Sequence, residues 1–288
     1  MQIASLFDEK KTVLSFEVFP PKKTSSIETI YKTLDDLQEL KPDFISVTYG
    51  AGGNAGDTST CDIATVIKNK YNTPPLAHLT CVNYAKGEID RILDLLQQKG
   101  IENILALRGD INPDVTPKNE FNYSSELVAY IKDRGGFHIS GACYPEGHID
   151  SVSPVDDIHN LKRKVDAGAE HLISQLFFDN SYFYSFIEKA RIAGITIPIE
   201  AGIMPVVNKS QIERMVTLCG ASLPAKFTKM MQRFEHSPEA LRDAGIAYAV
   251  DQIVDLIAQG VDGIHLYTMN NSLIAKRIYN NIAGLIRE

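Results

Sequence analysis

Short hydrophobic runs rich in β-branched residues alternate with longer amphipathic stretches along the chain. Most of the runs are apolar on both faces, as expected for parallel strands that are covered on both sides. The amphipathic stretches have the period of a helix, and several end at a glycine, where helices commonly stop. The pattern predicts helices that include 26–40, 87–99, 155–167 and 211–218. It predicts eight strands, at 13–19, 44–50, 75–82, 103–110, 138–145, 171–179, 197–205 and 262–269.

Polar or boundary residues near the carboxyl ends of these runs recur at a nearly constant spacing. The intervals between eight such anchors are 31, 30, 32, 34, 31, 29 and 63 residues. Eight units of about 30 residues predict a (β/α)8 TIM barrel, which typically needs ~250 residues. The double last interval predicts an extra helical segment over 224–259, before the eighth strand. A doubly wound open sheet is the alternative, but the constant period favours one closed domain over 1–288. The anchors are Glu17, Thr48, His78, Asp110, Tyr144, Gln175, Met204 and Tyr267.

Composition restricts the function classes further. The 288 residues include 29 Lys and Arg against 36 Asp and Glu, a net charge of −7 that argues against a nucleic-acid-binding surface. Four cysteines without a C-x-x-C pair do not make a disulfide framework. No run is long enough to span a membrane, and the first residues lack the apolar core of a signal peptide. We therefore expect a cytoplasmic protein that binds neither nucleic acid nor membrane.

Glu17 is the one charged residue in the otherwise apolar run at 13–19. In a TIM barrel the active site lies at the carboxyl ends of the strands, where this residue falls. Loss of hydration favours the protonated form of a carboxyl group. A protonated carboxyl near neutral pH is what general acid catalysis requires. The alternative interpretation is an ion pair with a Lys or Arg at the barrel rim.

Further polar residues fall at the ends of the third, fourth and fifth runs. Gly109 permits close approach of a ligand, and Arg108 and Asp110 flank it with opposite charges, although a rim ion pair explains them equally well. His78 is a candidate ligand or base, but a single strand histidine is more often a hydrogen-bonded core residue. Around His148 there is one Glu and one His without the H-E-x-x-H helix pattern, so no metal site is predicted.

Four polar residues lie off the apolar stripe of the helix predicted after the fifth run. Their cationic members are candidates to neutralise a diphosphate, because such groups make charge-assisted hydrogen bonds to phosphate. The alternative is a solvated helix face. Gln175 ends the sixth run, where its amide would suit the edge of a heterocycle or simply the barrel rim. The four helix residues are Asp157, Asn160, Arg163 and Lys164.

Six segments in register resemble the 5,10-methylenetetrahydrofolate reductase family, in its short bacterial form without a regulatory domain. The resemblance runs in order from about residue 14 to residue 270, nearly the whole chain. Its segments are Phe16-Glu17-Val18-Phe19-Pro20-Pro21, Ser46-Val47-Thr48-Tyr49-Gly50-Ala51, His78-Leu79-Thr80-Cys81, Ala106-Leu107-Arg108-Gly109-Asp110, Tyr144-Pro145-Glu146 and the run from Asn160 to Ala169.

The resemblance implies a flavoprotein that binds FAD noncovalently and works by a ping-pong mechanism. NADH or NADPH reduces FAD and leaves, and 5,10-methylenetetrahydrofolate is then reduced to 5-methyltetrahydrofolate, which supplies methionine synthesis. The resemblance also implies a homo-oligomer. The positions that match the family's FAD-binding residues are Thr48, His78, Arg108, Gly109, Asp110, Tyr123, Ser124, Tyr144, His148, Asp157, Asn160, Arg163 and Lys164.

The resemblance assigns catalytic roles to Glu17, as general acid, and to Asp110, beside the flavin pyrimidine and the folate. Substrate-binding positions match Gln175, Gln211, Met215, Tyr267 and Asn271. Two of them depart from the family pattern. Asn271 stands where an Arg helps to hold the folate tail, and an amide cannot supply that charged fork. Met215 stands where an aromatic residue often stacks on the aminobenzoyl ring. Either Lys276 or Arg277 replaces the missing Arg, or the tail is bound more weakly.

Three other function classes compete with this interpretation. A Schiff-base lyase needs a buried Lys at a strand end, and none of the eight runs contains one. A noncatalytic flavin- or folate-binding subunit has some support from Asn271. A Rossmann-type dehydrogenase is suggested by the glycine-rich segment at 50–55, but no acidic strand end follows ~20 residues later. The sequence leaves the choice between NADH and NADPH open, because no site for a 2′-phosphate is recognisable.

Overall fold

The computed structural model describes residues 1–21, 26–49, 58–110, 118–208, 212, 215–217 and 219–287. Eight parallel strands follow one another around a closed barrel, in which the first strand pairs with the second and with the eighth. The predicted (β/α)8 fold is therefore confirmed. The strands are β1 (Val13–Val18), β2 (Phe44–Val47), β3 (Pro75–Thr80), β4 (Asn103–Leu107), β5 (His138–Cys143), β6 (His171–Ser174), β7 (Ile199–Ile203) and β8 (Gly263–Tyr267).

Helices follow the strands and cover the barrel. The extra segment predicted before the eighth strand is present as two consecutive helices, of which the second is the longest that the structure describes. The helix predicted at 211–218 lies partly outside the described residues. The helices are α1 (Leu6–Glu9), α2 (Glu28–Gln38), α3 (Ser59–Tyr71), α4 (Lys86–Gln98), α5 (Ser124–Arg134), α6 (Pro154–Asp166), α7 (Asn180–Ile192), α8 (Ala225–Phe234), α9 (Pro238–Ala258) and α10 (Ser272–Ile286).

Alternation along the strands separates the outer layer from the barrel interior. On β1, Leu14 and Phe16 share one buried cluster with Ile30 and Leu34 of α2. The side chains between them point to the opposite face, because successive strand residues alternate. The glycines that follow α4, α6, α7 and α9 all have positive φ, as expected for helix stops. On β1, Leu14 and Phe16 therefore face the outer helices, whereas Ser15 and Glu17 face the barrel interior.

The amino-terminal end of the barrel is closed by an apolar plug. Residues 3–9 form a short 3₁₀ turn and α1, whose Ile3, Leu6 and Phe7 join Phe44 and other inward-facing strand residues in one cluster. The opposite end of the barrel, where the strands finish, carries the polar groups. In the described ranges, no helix has the combination of length and apolar composition needed to cross a bilayer.

Candidate active site

Glu17 lies on the inner face of β1, near the end of the barrel where the strands finish. Its register partners are Ser46 on β2 and Tyr267 on β8. One carboxylate oxygen, Oε2, lies 3.6 Å from Nε2 of His78 on β3 and 3.6 Å from Nε2 of His265 on β8. Both ring nitrogens are buried without a hydrogen-bond partner. The side chain of Glu17 is 19% exposed, so a ligand at the mouth can reach it.

The His78 imidazole is neutral at neutral pH. Burial lowers its pKa to about 4, against the opposing effect of the Glu17 carboxylate and with a smaller contribution from His265. A neutral imidazole donates through one nitrogen and accepts through the other. It can therefore lie beside Glu17 without placing a buried positive charge there. No group of three or more His, Cys, Asp or Glu side chains in the described part of the chain forms a metal site.

Tyr267 crosses the mouth from β8 toward β6. Its hydroxyl donates a 2.8 Å hydrogen bond to the Ser174 carbonyl. Burial, followed by the negative charge of Glu17, raises the pKa of Tyr267 well above its usual value, so the phenol stays protonated. Gly202 on β7 makes room for this ring, because a Cβ atom there would lie 2.8 Å from Tyr267 Cε2 and 2.2 Å from the Ser174 oxygen.

A cleft of about 420 Å³ lies beside the mouth, between the ends of β4 and β5 and helices α5 and α6. It brings together most of the residues predicted to bind the cofactor. They come from two strand ends, the start of α5 and two successive turns of α6. The predicted residues that line it are Arg108, Tyr123, Ser124, Tyr144, His148, Asp157, Asn160, Arg163 and Lys164.

Helix α6 supplies two cations to the cleft in different environments. The exposed Arg163 holds Asn160 through a 3.1 Å hydrogen bond from Nη1 to Oδ1. Lys164 is buried, and its ammonium donates a 2.6 Å hydrogen bond to the Ala142 carbonyl at the end of β5. Burial lowers the pKa of Lys164. An anion in the cleft would restore the charge balance of this partly desolvated ammonium.

The remaining walls of the cleft are held by two carboxylates. Asp150 pairs with Arg108 at 2.8 Å across the cleft. The buried Asp157 accepts hydrogen bonds from the amide of His148 at 3.2 Å and the hydroxyl of Ser151 at 2.7 Å. Asp157 therefore orders the loop between β5 and α6 and does not face an incoming anion as a free charge.

Some predicted cofactor residues lie outside this cleft. Gly109 has a φ of 84°, and a Cβ atom there would lie 2.8 Å from Cβ of Thr80, so the position requires glycine. Asp110 is exposed at the mouth. Burial, and then the charge of Asp110, raise the pKa of Cys219 to about 11. Asp110 thus lies on the side of the mouth where Cys219 is. His78 lies beside Glu17, on the inner face of the barrel.

The predicted substrate residues surround the mouth without forming one contiguous group. Oε1 of Gln175 accepts a 2.9 Å hydrogen bond from the next amide in the chain. Met215 packs on the apolar cluster above β7 and β8. Asn271 is the N-cap of α10, because its Oδ1 accepts from the Ile274 amide at 3.2 Å. Thr48 ends the β1–β2 pair, and Gln211 lies outside the described residues.

Neither basic residue suggested as a replacement for the missing Arg points to the mouth. Lys276 pairs with Glu39 at 2.8 Å, and Arg277 pairs with Asp243 at 2.6 Å. Both ion pairs lie between outer helices. The side-chain amide of Asn271 thus caps α10, and the two cations form ion pairs with neighbouring helices.

Sequence reasoning overlooked the polar residues inside the barrel. Ser15, His171, Glu200 and His265 are all fully buried, at 0% exposure, on β1, β6, β7 and β8. One signal was available, since Ser15 and His265 each stand two positions before a predicted site residue. That spacing places each of them on the same inner face of its strand.

Comparison with known proteins places the chain in a family. Residues 2–283 match the family model described as methylenetetrahydrofolate reductase. The chain is 36% identical to the 5,10-methylenetetrahydrofolate reductase of Escherichia coli over 93% of this chain and 90% of that protein. It is 35% identical to methylenetetrahydrofolate reductase (NADH) 1 of Arabidopsis thaliana over its whole length, but it spans only 51% of that protein.

The fold is also similar to a solved structure of low sequence identity. A Clostridium thermocellum protein, described as binding two copies of 5-methyl-5,6,7,8-tetrahydrofolic acid, superposes with a TM-score of 0.68 at 13% identity, covering all of both chains. At that identity the likeness supports the barrel alone. The family model covers nearly every residue, and the bacterial relative is matched over most of its length. The chain therefore belongs to the methylenetetrahydrofolate reductase family.

Proposed function

We propose that this protein reduces 5,10-methylenetetrahydrofolate to 5-methyltetrahydrofolate, with FAD as cofactor and a reduced nicotinamide as donor. The observation that carries the proposal is the position of Glu17. It is a partly exposed carboxyl at the barrel mouth, with two buried ring nitrogens 3.6 Å from one of its oxygens. Family membership supplies the reaction, and the chain spans about half the length of its plant relatives and nine-tenths of the Escherichia coli protein.

The donors that line the α5–α6 cleft fit FAD. Its diphosphate is anionic, and guanidinium and ammonium groups make charge-assisted hydrogen bonds to phosphate. Arg108, Arg163 and Lys164 line the same cleft and would hold the diphosphate. Lys164 uses one of its three donors on the Ala142 carbonyl. Ser124 is the first residue of α5, whose amino end favours negative charge. When bound, FAD supplies hydride transfer.

The reaction consumes one hydride and one proton for each folate reduced. The bridging methylene becomes a hydride acceptor when the imidazolidine ring opens, and ring opening requires protonation of the departing nitrogen. Glu17 is placed to give that proton, and the hydride then adds to the exposed methylene carbon. The carboxylate that remains must regain one proton before the next folate is reduced. Tyr267, held by the Ser174 carbonyl, closes the β8 side of this space.

The donor and the order of binding belong to the same proposal. The plant relatives are named as NADH enzymes, so NADH is the first donor to test, with NADPH beside it. A ping-pong order follows if nicotinamide and folate use the mouth in turn. The second candidate is a flavin- and folate-binding subunit without turnover of its own. It is favoured by Asn271, which caps α10 where a charged contact to the folate tail is expected.

An absorption spectrum of the purified protein, before and after anaerobic addition of NADH, tests the proposal. We expect a flavin band near about 450 nm that bleaches with NADH and returns when methylenetetrahydrofolate is added. A band that bleaches but does not return favours the subunit without folate reduction. A band that NADH and NADPH both leave oxidised moves the donor to another protein. A protein that stays colourless after incubation with FAD contradicts the proposal.

A further inference from the structure

A row of buried polar side chains runs through the barrel below Glu17. The interior of a TIM barrel is ordinarily filled by bulky branched residues. Here the inner faces of five strands carry histidine, glutamate and serine side chains that are fully buried. Burying such groups costs free energy unless they hydrogen-bond to one another. The row consists of His265, Ser15, Glu200, His171, Ser140 and His138.

The upper half of the row connects the mouth to the middle of the barrel. Nε2 of His265 lies 3.6 Å from Oε2 of Glu17, and its Nδ1 lies 2.6 Å from Oγ of Ser15. Ser15 donates a 2.9 Å hydrogen bond to Oε1 of Glu200. A separation of 3.6 Å is too long for a hydrogen bond. The first link therefore closes when the Glu17 carboxyl rotates toward the ring.

The lower half leads from the middle of the barrel to the surface. Oε2 of Glu200 lies 3.1 Å from Nε2 of His171, although the two groups are not yet oriented as a hydrogen bond. Nδ1 of His171 lies 2.9 Å from Oγ of Ser140, which lies 3.4 Å from Nε2 of His138. Nδ1 of His138 lies 3.3 Å from Glu170. Glu170 is 35% exposed, so the row ends in water.

We propose that this row is a proton path that returns one proton to Glu17 after each folate reduction. The inference rests on the proposed role of Glu17 as the acid. A bound flavin and folate would cover the mouth, whereas the lower end of the row stays open to water at Glu170. On the plug side, the Phe7 ring packs on the His171 ring, with centroids 4.7 Å apart.

The path moves one proton from water to Glu17 and transfers no electrons. The transfer starts after the Ser15 hydroxyl turns from Glu200 toward Nδ1 of His265 and the Glu200 proton lies on Oε1. His265 then passes its Nε2 proton to the Glu17 carboxylate and takes one at Nδ1 from Ser15. Ser15 takes one from the Glu200 carboxyl, and Glu200 takes one from His171. The remaining steps repeat this exchange through Ser140 and His138, which is recharged from water at Glu170. One proton leaves water and one reaches Glu17. Rotation of the side chains then restores the original orientation.

The charge states of the row suit this role. Burial raises the pKa of Glu200 to about 8, so at neutral pH it is a carboxylic acid with a proton to give. Burial also lowers the pKa of His171 well below its usual value, so that ring is neutral. At the surface, hydrogen bonds from His138 and Lys132 lower the pKa of Glu170 to about 2. Its carboxylate therefore stays ionised, and it lies 3.3 Å from Nδ1 of His138 at the water-exposed end of the row.

The decisive experiment compares single and repeated turnovers of the FAD-loaded enzyme. The path is broken by Glu200→Gln, which keeps the shape of a protonated carboxyl but cannot relay a proton, and by Ser15→Ala. In both variants we expect the first turnover of the prereduced enzyme to keep its rate, because a single turnover does not need the path to return a proton. We expect steady-state kcat to fall by about tenfold or more, within the range of positioned proton transfer.

The matched control is Ser46→Ala. Ser46 is equally buried on β2, and its hydroxyl has no hydrogen-bond partner, so the variant loses the same group off the path. We expect it to keep both rates. Glu17→Gln tests the proposed function separately, because it slows the first turnover itself. A first turnover that Glu17→Gln leaves intact contradicts the acid role, whatever the path variants do.

A readout without cofactor distinguishes a path from isolated buried groups. Histidine side-chain ¹⁵N NMR reports which ring nitrogen carries the proton. Ser15→Ala is expected to shift the ring resonances of both His265 and His171, and Ser46→Ala to leave them in place. The proposal is overturned if single and repeated turnovers fall equally in Glu200→Gln, which indicates a structural role. It is equally overturned if both rates stay unchanged there.

Discussion

The cleft between α5 and α6 and the barrel interior below Glu17 hold polar side chains in opposite ways. In the cleft, charged groups lie near the surface and are held in place by neighbours, as Arg163 is by Asn160. In the interior, Glu200 and His171 are fully buried and neutral at neutral pH. The cleft is therefore suited to a large anion, whereas the interior is suited to moving a proton without storing charge.

The largest expected effect lies where the two regions meet. Glu17→Gln removes the acid but keeps the size and hydrogen bonding of the side chain. We expect folate reduction to fall by roughly 10²–10⁴, the usual contribution of a positioned general acid. Reduction of the flavin by NADH needs no proton from Glu17, so its rate should change less than about twofold by the same reasoning. Stopped-flow absorbance measures the two half-reactions separately.

The control for this variant is Glu188→Gln, on the exposed face of α7. It makes the same chemical change far from the mouth and should leave both half-reactions as they are. Equal losses in both half-reactions of Glu17→Gln would show that the substitution disturbs flavin binding. Glu17 would then contribute to flavin binding, as the cleft residues do, and not to proton transfer. The functional contrast between the two regions would not hold.

The second prediction addresses the cleft alone. Arg163→Ala removes an exposed guanidinium that faces the proposed diphosphate. A hydrogen bond to a charged group contributes roughly 1.5–3 kcal/mol, so FAD affinity should fall by about tenfold or more. The loss should shrink at high salt, because screening weakens the original contact. Fluorescence titration of the apoprotein with FAD measures both. Lys162→Ala, one position earlier on α6 and ion-paired to Asp166, should bind FAD normally.

The two regions also differed in how far the sequence predicted them. The strands followed from alternation and spacing, and the cleft residues followed from motif segments that each lie within a few residues. The row of buried polar residues in the barrel interior could not be predicted from such local patterns. Ser15 bonds to Glu200 and to His265 across 185 and 250 positions of the chain. Closure of the barrel brings these residues together, and no local pattern records which inward-facing side chains meet.

Asn271 shows a second limit of sequence reasoning. The motif comparison identified Asn271 as a departure from the family pattern. It did not predict that Asn271 would cap α10, or that Lys276 and Arg277 would pair with Glu39 and Asp243. Capping and ion pairing depend on where a helix starts and which neighbour it meets. Those are properties of the folded chain, and spacing alone does not give them.

The third prediction tests how tightly the interior is packed. Gly202→Ala would place a Cβ atom 2.2 Å from the Ser174 carbonyl oxygen, which belongs to the neighbouring strand. Overpacking of this kind costs roughly 1–3 kcal/mol of unfolding free energy. Tm should fall by several degrees, at about 2–4 °C for each kcal/mol in a chain of this size. Gly87→Ala is the control, because nothing lies within 4 Å of its Cβ position.

The pH dependence of stability tests whether the interior is neutral. Glu200 holds its proton up to a pKa of about 8 in the folded protein, but an unfolded Glu releases it near its usual value of about 4.3. Between these two values the folded state binds more protons, so this group makes stability fall as pH rises. Glu200→Gln cannot titrate, and it should flatten that part of the profile. Urea unfolding at about pH 5 and about pH 8 gives the two points that define the slope.

The buried histidines affect the same dependence of stability on pH, but they make stability rise as pH rises. His78, with its pKa lowered to about 4, binds its proton more readily when unfolded, so stability falls as pH drops below the usual histidine value of about 6.5. The two contributions oppose each other between about pH 4.3 and about pH 6.5, so Glu200→Gln should make stability rise more steeply with pH in that range, and Glu188→Gln should leave the whole profile unchanged. A variant slope equal to the wild-type slope between about pH 5 and pH 8 would mean that Glu200 is ionised in the folded barrel. The interior would then store charge as the cleft does.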